Sequence, residues 1–202
     1  MVNEMNRKGL FNGSVVAVQP IEQGLAELVN AQDGCYTVLL RGMQNGQVVD
    51  RREIVTAISR VLNPYRQWPE YLACAKNPDL RFIVSNTTEA GIAYKPEAKP
   101  QGSCPESFPA KVAALLLARF EAFSGAKTAG MVVIPCELIE NNGSALREIV
   151  LRLAGDWKLD PAFAAWIQDS CIFCNTLVDR IVPGYPKEEA GKLCAELGYE
   201  DK

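Results

Sequence analysis

The residues of this chain that could do chemistry gather just after apolar runs. Ser85-Asn86-Thr87-Thr88-Glu89-Ala90-Gly91 sets hydroxyl, amide and carboxylate groups directly behind the apolar stretch 80–84. A polar exit of this kind either caps a helix or lines a ligand cleft. Cys136-Glu137 and Asn141-Asn142-Gly143-Ser144 repeat the arrangement behind 131–135. There, Asn142 or Ser144 could satisfy free N–H groups at a helix start. Asp179-Arg180 lies between Leu177-Val178 and Ile181-Val182. Charges in apolar flanks are costly unless they pair with each other or meet a ligand, so an internal ion pair and a site both fit. Glu22 closes a third apolar run, 14–20, either as a surface acid or as a ligand for sugar hydroxyls.

Other chemistry is excluded by what the chain lacks. It contains no histidine, so Ser-His and Cys-His nucleophiles are impossible, and acid–base work falls to Lys, Asp, Glu, Tyr or Cys. Cys171-x-x-Cys174 has neither the second ligand pair of a zinc site nor the strand-to-helix setting of a redox motif, so no metal is expected. Seven scattered cysteines suit reduced thiols rather than a disulfide framework.

Composition narrows the class further. With 48% apolar and 22% charged residues the chain has the make-up of a globular protein. A net charge of -3 without any basic cluster argues against nucleic acid as a partner. No apolar run approaches membrane-spanning length, and residues 1–8 lack a signal-peptide core, so a cytoplasmic protein is expected. Nothing in the sequence speaks to oligomeric state.

The elements that must position these residues follow from periodicity. Runs 14–20, 80–86 and 131–136 read as strands buried on both faces. Helical patterns cover 24–31, 64–76, 109–125, 144–153, 161–168 and 187–197. Strand-like runs on either side of Met43-Gln44-Asn45-Gly46 predict a hairpin over 35–58. Apolar strands alternating with amphipathic helices indicate an α/β fold with a doubly wound, mostly parallel sheet and an antiparallel hairpin insertion. Such sheets bind ligands beyond the carboxyl ends of their strands, which here are Glu22, 85–89 and 136–137.

Spelling adds a resemblance. Thr176-Leu177-Val178-Asp179-Arg180-Ile181-Val182-Pro183-Gly184-Tyr185-Pro186 resembles the signature of the long-chain polyol and mannitol dehydrogenase family. Ser85-Asn86-Thr87-Thr88-Glu89-Ala90-Gly91 and Pro135-Cys136-Glu137-Leu138-Ile139 bring it nearest the tagaturonate reductase branch. The resemblance covers about Met5 to Gly198 and implies a Rossmann-like domain that binds NAD. It also implies hydride transfer that interconverts tagaturonate and altronate, with a small sugar acid as partner. Fructuronate reduction, mannitol oxidation and a non-catalytic nucleotide- or partner-binding module are the alternatives.

By the same resemblance Ser85, Asn86, Thr87, Thr88 and Glu89 line the nicotinamide cleft, and Glu22 holds the adenosine ribose. Asn142, in register with Gly143, aims an amide at the substrate oxygen that gains charge, and Asp179 shapes the substrate pocket. Two family parts have no counterpart in these residues. No Gly-x-Gly phosphate loop occurs, so the family's first strand is expected ahead of Met1. The Lys-x4-Asn-x2-His arrangement that carries the catalytic lysine is also missing. The expected division is an incomplete dinucleotide domain over 1–186 and the start of a helical C-terminal domain over 187–202, in all an internal fragment of a larger enzyme.

Overall fold

The computed structural model describes residues 1–177, 182 and 184–201, with Glu89 described by its backbone only. Contacts divide the chain into two compact units, one of residues 1–19, 23–63 and 181–202, the other of 20–22 and 64–180.

In the first unit, β1 (Val15–Val18) runs parallel to β4 (Ile58–Leu62), and α1 (Val2–Arg7) precedes them. The 14–20 run is half-buried rather than enclosed on both faces. Helix α2 (Ala26–Ala31) packs on β4, where the Asn30 amide pairs with the backbone of Val61, donating to its carbonyl and accepting from its N–H at 2.8 Å each. The hairpin forms as expected from β2 (Tyr36–Gln44) and β3 (Gln47–Val55). Its turn is Asn45-Gly46, with φ of 52° and 76°, the left-handed pair that matches strand twist. The sequence reading extended the second arm to Ile58. Instead the chain leaves the hairpin at Thr56-Ala57, and 58–62 becomes a separate strand against β1. Helix α7 (Ala190–Leu197), expected to open a further domain, packs within this unit, with ion pairs Arg41–Glu189 and Arg52–Glu196 holding the 187–201 segment to the hairpin.

In the second unit, β5 (Phe82–Ser85), β6 (Val132–Pro135) and β7 (Ile172–Phe173) form a parallel sheet in the order β5-β6-β7. Ile83, Val133 and Phe173 are in register and share one face, where Val133 is fully buried. Phe82, Val132 and Ile172 share the other, where Phe82 and Ile172 are exposed together with Val84, at 56%. The core is the interlock of α4 (Phe108–Ala122), α5 (Asn142–Asp156) and α6 (Pro161–Ser170), with Val112, Leu116, Leu146, Val150, Leu153, Phe163 and Ile167 enclosed. Helix α3 (Trp68–Cys74) packs on α4. The parallel strands thus form two separate sheets instead of the single one expected.

Two cations buried on α4 were not foreseen from its apolar face. Arg119, 3% exposed, donates to the carbonyls of Ala129, Ala75, Asn77 and Pro78, tying the end of α3 to the approach to β6. Lys111 donates to Glu106 O and Tyr65 Oη at 2.6 and 3.0 Å.

The starts of α4 and α6 carry side-chain caps. Ser107 Oγ accepts from Ala110 N–H at 3.3 Å, and Asp160 Oδ1 from Ala162 N–H at 2.8 Å, each with proline in the first turn. Ser107→Ala and Asp160→Ala are each expected to lower stability by about 1 kcal/mol. Urea unfolding should show a lower midpoint at an unchanged slope.

Candidate active site

Parallel pairing places Ser85 beside Pro135, so the segments that follow β5 and β6 leave the same edge of the sheet. Between them lies Glu137, only 2% exposed. Its Oε2 accepts from Ser85 Oγ at 3.1 Å, and its Oε1 accepts from Thr87 N–H and Thr87 Oγ1 at 3.0 and 2.8 Å. A buried carboxylate is tolerated only where hydrogen bonds replace water, and these three do so. The polar segment therefore divides by alternation: Ser85 and Thr87 turn inward to Glu137, while Asn86 and Thr88 remain exposed. The glycine of this segment has a steric reason, since a Cβ on Gly91 would lie 2.0 Å from Thr87 Oγ1.

Asn142 begins α5, two residues ahead of the expected helix start, and is fully buried. Its Nδ2 lies 3.0 Å from the carbonyl oxygens of Pro135 and Glu137 and 3.2 Å from Thr176 O and Oγ1. Those acceptors outnumber its two hydrogens. Its Oδ1 accepts from Gly143 N–H and Thr176 N–H at 2.8 and 3.0 Å. In this conformation protein groups occupy every polar position of the Asn142 amide. Its neighbour Asn141 is the exposed one, held at φ 53° ahead of the helix.

The start of α5 and the segment after β7 are clasped together. Cys174 N–H donates to Val133 O, and the carbonyl of Cys174 sits where a Cβ on Gly143 would fall, 2.4 Å away. Asn175 Oδ1 accepts from Ser144 N–H at 2.9 Å and its Nδ2 donates to Ser144 Oγ at 3.0 Å, so the helix start is capped from a remote residue. Thr176 Oγ1 donates to Pro135 O at 2.5 Å. Gly143→Ala must push the backbone of Cys174 aside. A loss of about 1–3 kcal/mol is expected, with faster hydrogen exchange at the Thr176 N–H, both measurable in one exchange experiment.

The remaining expected site residues are less informative. Glu22 is exposed beyond β1, and its segment is tied down by Tyr65 Oη donating to Pro20 O at 3.3 Å. Asp179 and its neighbour Arg180 lie outside the described residues, as does the side chain of Glu89. Burial pushes the Cys136 and Cys171 thiols above their ordinary range, which keeps them protonated and poorly nucleophilic near neutral pH. Among the described residues no helix is long and apolar enough to cross a membrane. Sequence reasoning placed Glu137 at a strand end and Thr176 in the signature without giving either a partner, and it passed over Asn175. The only local signal was a Glu immediately behind an apolar strand.

Comparison with known proteins matches residues 4–202 to the family described as mannitol dehydrogenase Rossmann domain. The altronate oxidoreductase of Yersinia enterocolitica is 46% identical over 201 residues, 99% of this chain and 42% of the relative. That of Halalkalibacterium halodurans is 46% identical over 202 residues, all of this chain and 40% of the relative. The chain thus spans about two-fifths of the length of these relatives. Among solved structures, Pseudomonas fluorescens mannitol 2-dehydrogenase in ternary complex with NAD and D-mannitol superposes with a TM-score of 0.75 at 19% identity, over 95% of this chain and 40% of that one. A substrate-free D-sorbitol dehydrogenase gives 0.73 at 25% identity, over 94% and 41%.

Proposed function

The chain belongs to the mannitol dehydrogenase family, as its Rossmann domain, and on that premise we propose that it forms the NAD-binding part of an oxidoreductase that interconverts altronate and tagaturonate. The observation that carries this reading is the 46% identity with altronate oxidoreductases across essentially every residue of the chain. In the oxidative direction the alcohol carbon of altronate loses a hydride and its hydroxyl loses a proton, giving tagaturonate, NADH and H⁺.

The residues present fit such a cofactor. Asn86 and Thr88 are exposed polar groups at the carboxyl end of a parallel strand, where dinucleotide folds take their ligand. When bound, NAD supplies the hydride acceptor. Glu22 takes the adenosine ribose hydroxyls, and the 85–89 segment lines the nicotinamide side. Asn142 serves the substrate side by holding Thr176 in place, three residues ahead of Asp179, which shapes the sugar-acid pocket. The proton is moved by a lysine in the family's Lys-x4-Asn-x2-His arrangement, which these 202 residues do not contain.

The test is an assay of a chain of the relatives' full length that carries these residues, with altronate, the alcohol partner of fructuronate and mannitol each offered with NAD and NADH formation followed spectroscopically. Altronate oxidation well above the other two is expected. Preference for mannitol or for the alcohol partner of fructuronate would move the protein to another branch of the family. No turnover and no NADH binding would favour a non-catalytic module.

A further inference from the structure

The hydrogen bonds at the carboxyl ends of β5 and β6 form one connected chain. Ser85 and Thr87 bond to the carboxylate of Glu137, the carbonyl of Glu137 bonds to the Asn142 amide, and Asn142 bonds to Thr176. Glu137 joins the Ser85–Thr87 end of this chain to Asn142, through its side chain on one side and its backbone carbonyl on the other. Three donors from one short segment converge on its two oxygens, in a place where an apolar residue could otherwise fill the space.

We propose that Glu137 is a positioning residue that sets the 85–88 segment for the nicotinamide end of the cofactor and holds it in register with the segment leading to Asp179. This rests on the reading of 85–89 as the nicotinamide side. With Ser85 and Thr87 locked inward, the strand's alternation leaves Asn86 and Thr88 pointing outward at fixed positions. Without the carboxylate, a buried hydroxyl and a buried N–H lose their acceptor, and the segment must rearrange to find others. Glutamine keeps the geometry. Its amide oxygen accepts both Thr87 bonds, and its NH2 donates to Ser85 Oγ, which turns to become the acceptor.

The experiment compares Glu137→Ala and Glu137→Gln in a chain of the relatives' full length carrying residues 1–202, reading kcat and both KM values. Glu137→Ala is expected to raise KM for NADH by roughly tenfold or more while KM for the sugar acid stays within roughly twofold. Glu137→Gln is expected to restore the KM for NADH to within roughly threefold of the parent. A parent that neither binds NADH nor turns over overturns the functional reading instead. An active parent with an unchanged KM for NADH in Glu137→Ala overturns the inference. So does a Glu137→Gln variant as impaired as the alanine, since the charge and not the positioning would then be acting. If Glu137→Ala does not fold, the double variant S85A/T87V, which removes both hydroxyl donors and leaves the carboxylate, is read against the same thresholds. Hydrogen exchange at the Thr87 N–H in the 202-residue chain adds a readout independent of activity. It should accelerate in Glu137→Ala and stay near the parent in Glu137→Gln, and equal rates in all three would also overturn the inference.

Discussion

Residues 1–202 taken alone are expected to reduce tagaturonate with NADH roughly a hundred- to ten-thousand-fold more slowly than a full-length altronate oxidoreductase, the factor associated with losing a positioned proton-transfer group. No histidine is present, so the family's lysine arrangement cannot occur here. No Gly-x-Gly is present either, so the backbone cradle and helix start that hold the pyrophosphate in this fold are not supplied by these residues. Strand β1 pairs only with β4 and β5 only with β6 among the described residues, each leaving one edge without a ladder partner. Apolar side chains at Val18, Phe82 and Val84 are exposed on these strands, an arrangement that invites association. The check is to purify the 202-residue chain, titrate NADH by fluorescence and assay tagaturonate reduction. Tight NADH binding with turnover matching the full-length enzyme would show that these residues suffice.

The largest effect of any single substitution on stability should come from Phe163→Ala, at about 3–5 kcal/mol. Phe163 is fully buried in α6, with its ring edge-on to Phe120 at 5.6 Å and stacked on Trp166 at 6.3 Å. Removing it deletes a shared wall between α4 and α6, and backbone held in two helices can close the space only in part. Since domains of this size are stable by only about 5–15 kcal/mol, roughly a fifth or more of the total should go. Urea unfolding followed by tryptophan fluorescence checks it, Trp166 itself reporting. A loss under about 1 kcal/mol would mean the helices collapse onto the gap.

The sequence was most informative where the determining physics is local. Apolar runs at strand length placed β1, β5 and β6, and helical spacing with Pro161 behind Asp160 placed α6. Asn45-Gly46 announced its own turn, because few residues accept two successive left-handed conformations. Strand β4 was missed for the matching reason. Ile58-Ser59-Arg60-Val61-Leu62 carries no turn signal strong enough to separate it from the hairpin arm before it, and only its pairing with β1 makes it a strand of its own.

By itself, then, the sequence determined most of the strands, helices and turns, the family, and the polar segments at the strand ends. Those follow from short-range sterics, from periodicity and from spelling. Only the tertiary structure decided which side chains in those segments are available for chemistry. Glu137 meets Ser85 across 52 positions and Asn142 meets Thr176 across 34, and no local pattern encodes such a meeting. It is strand register and the close approach at Gly143 that fasten the Asn142 amide to Thr176, and strand register that brings Glu137 to Ser85 and Thr87.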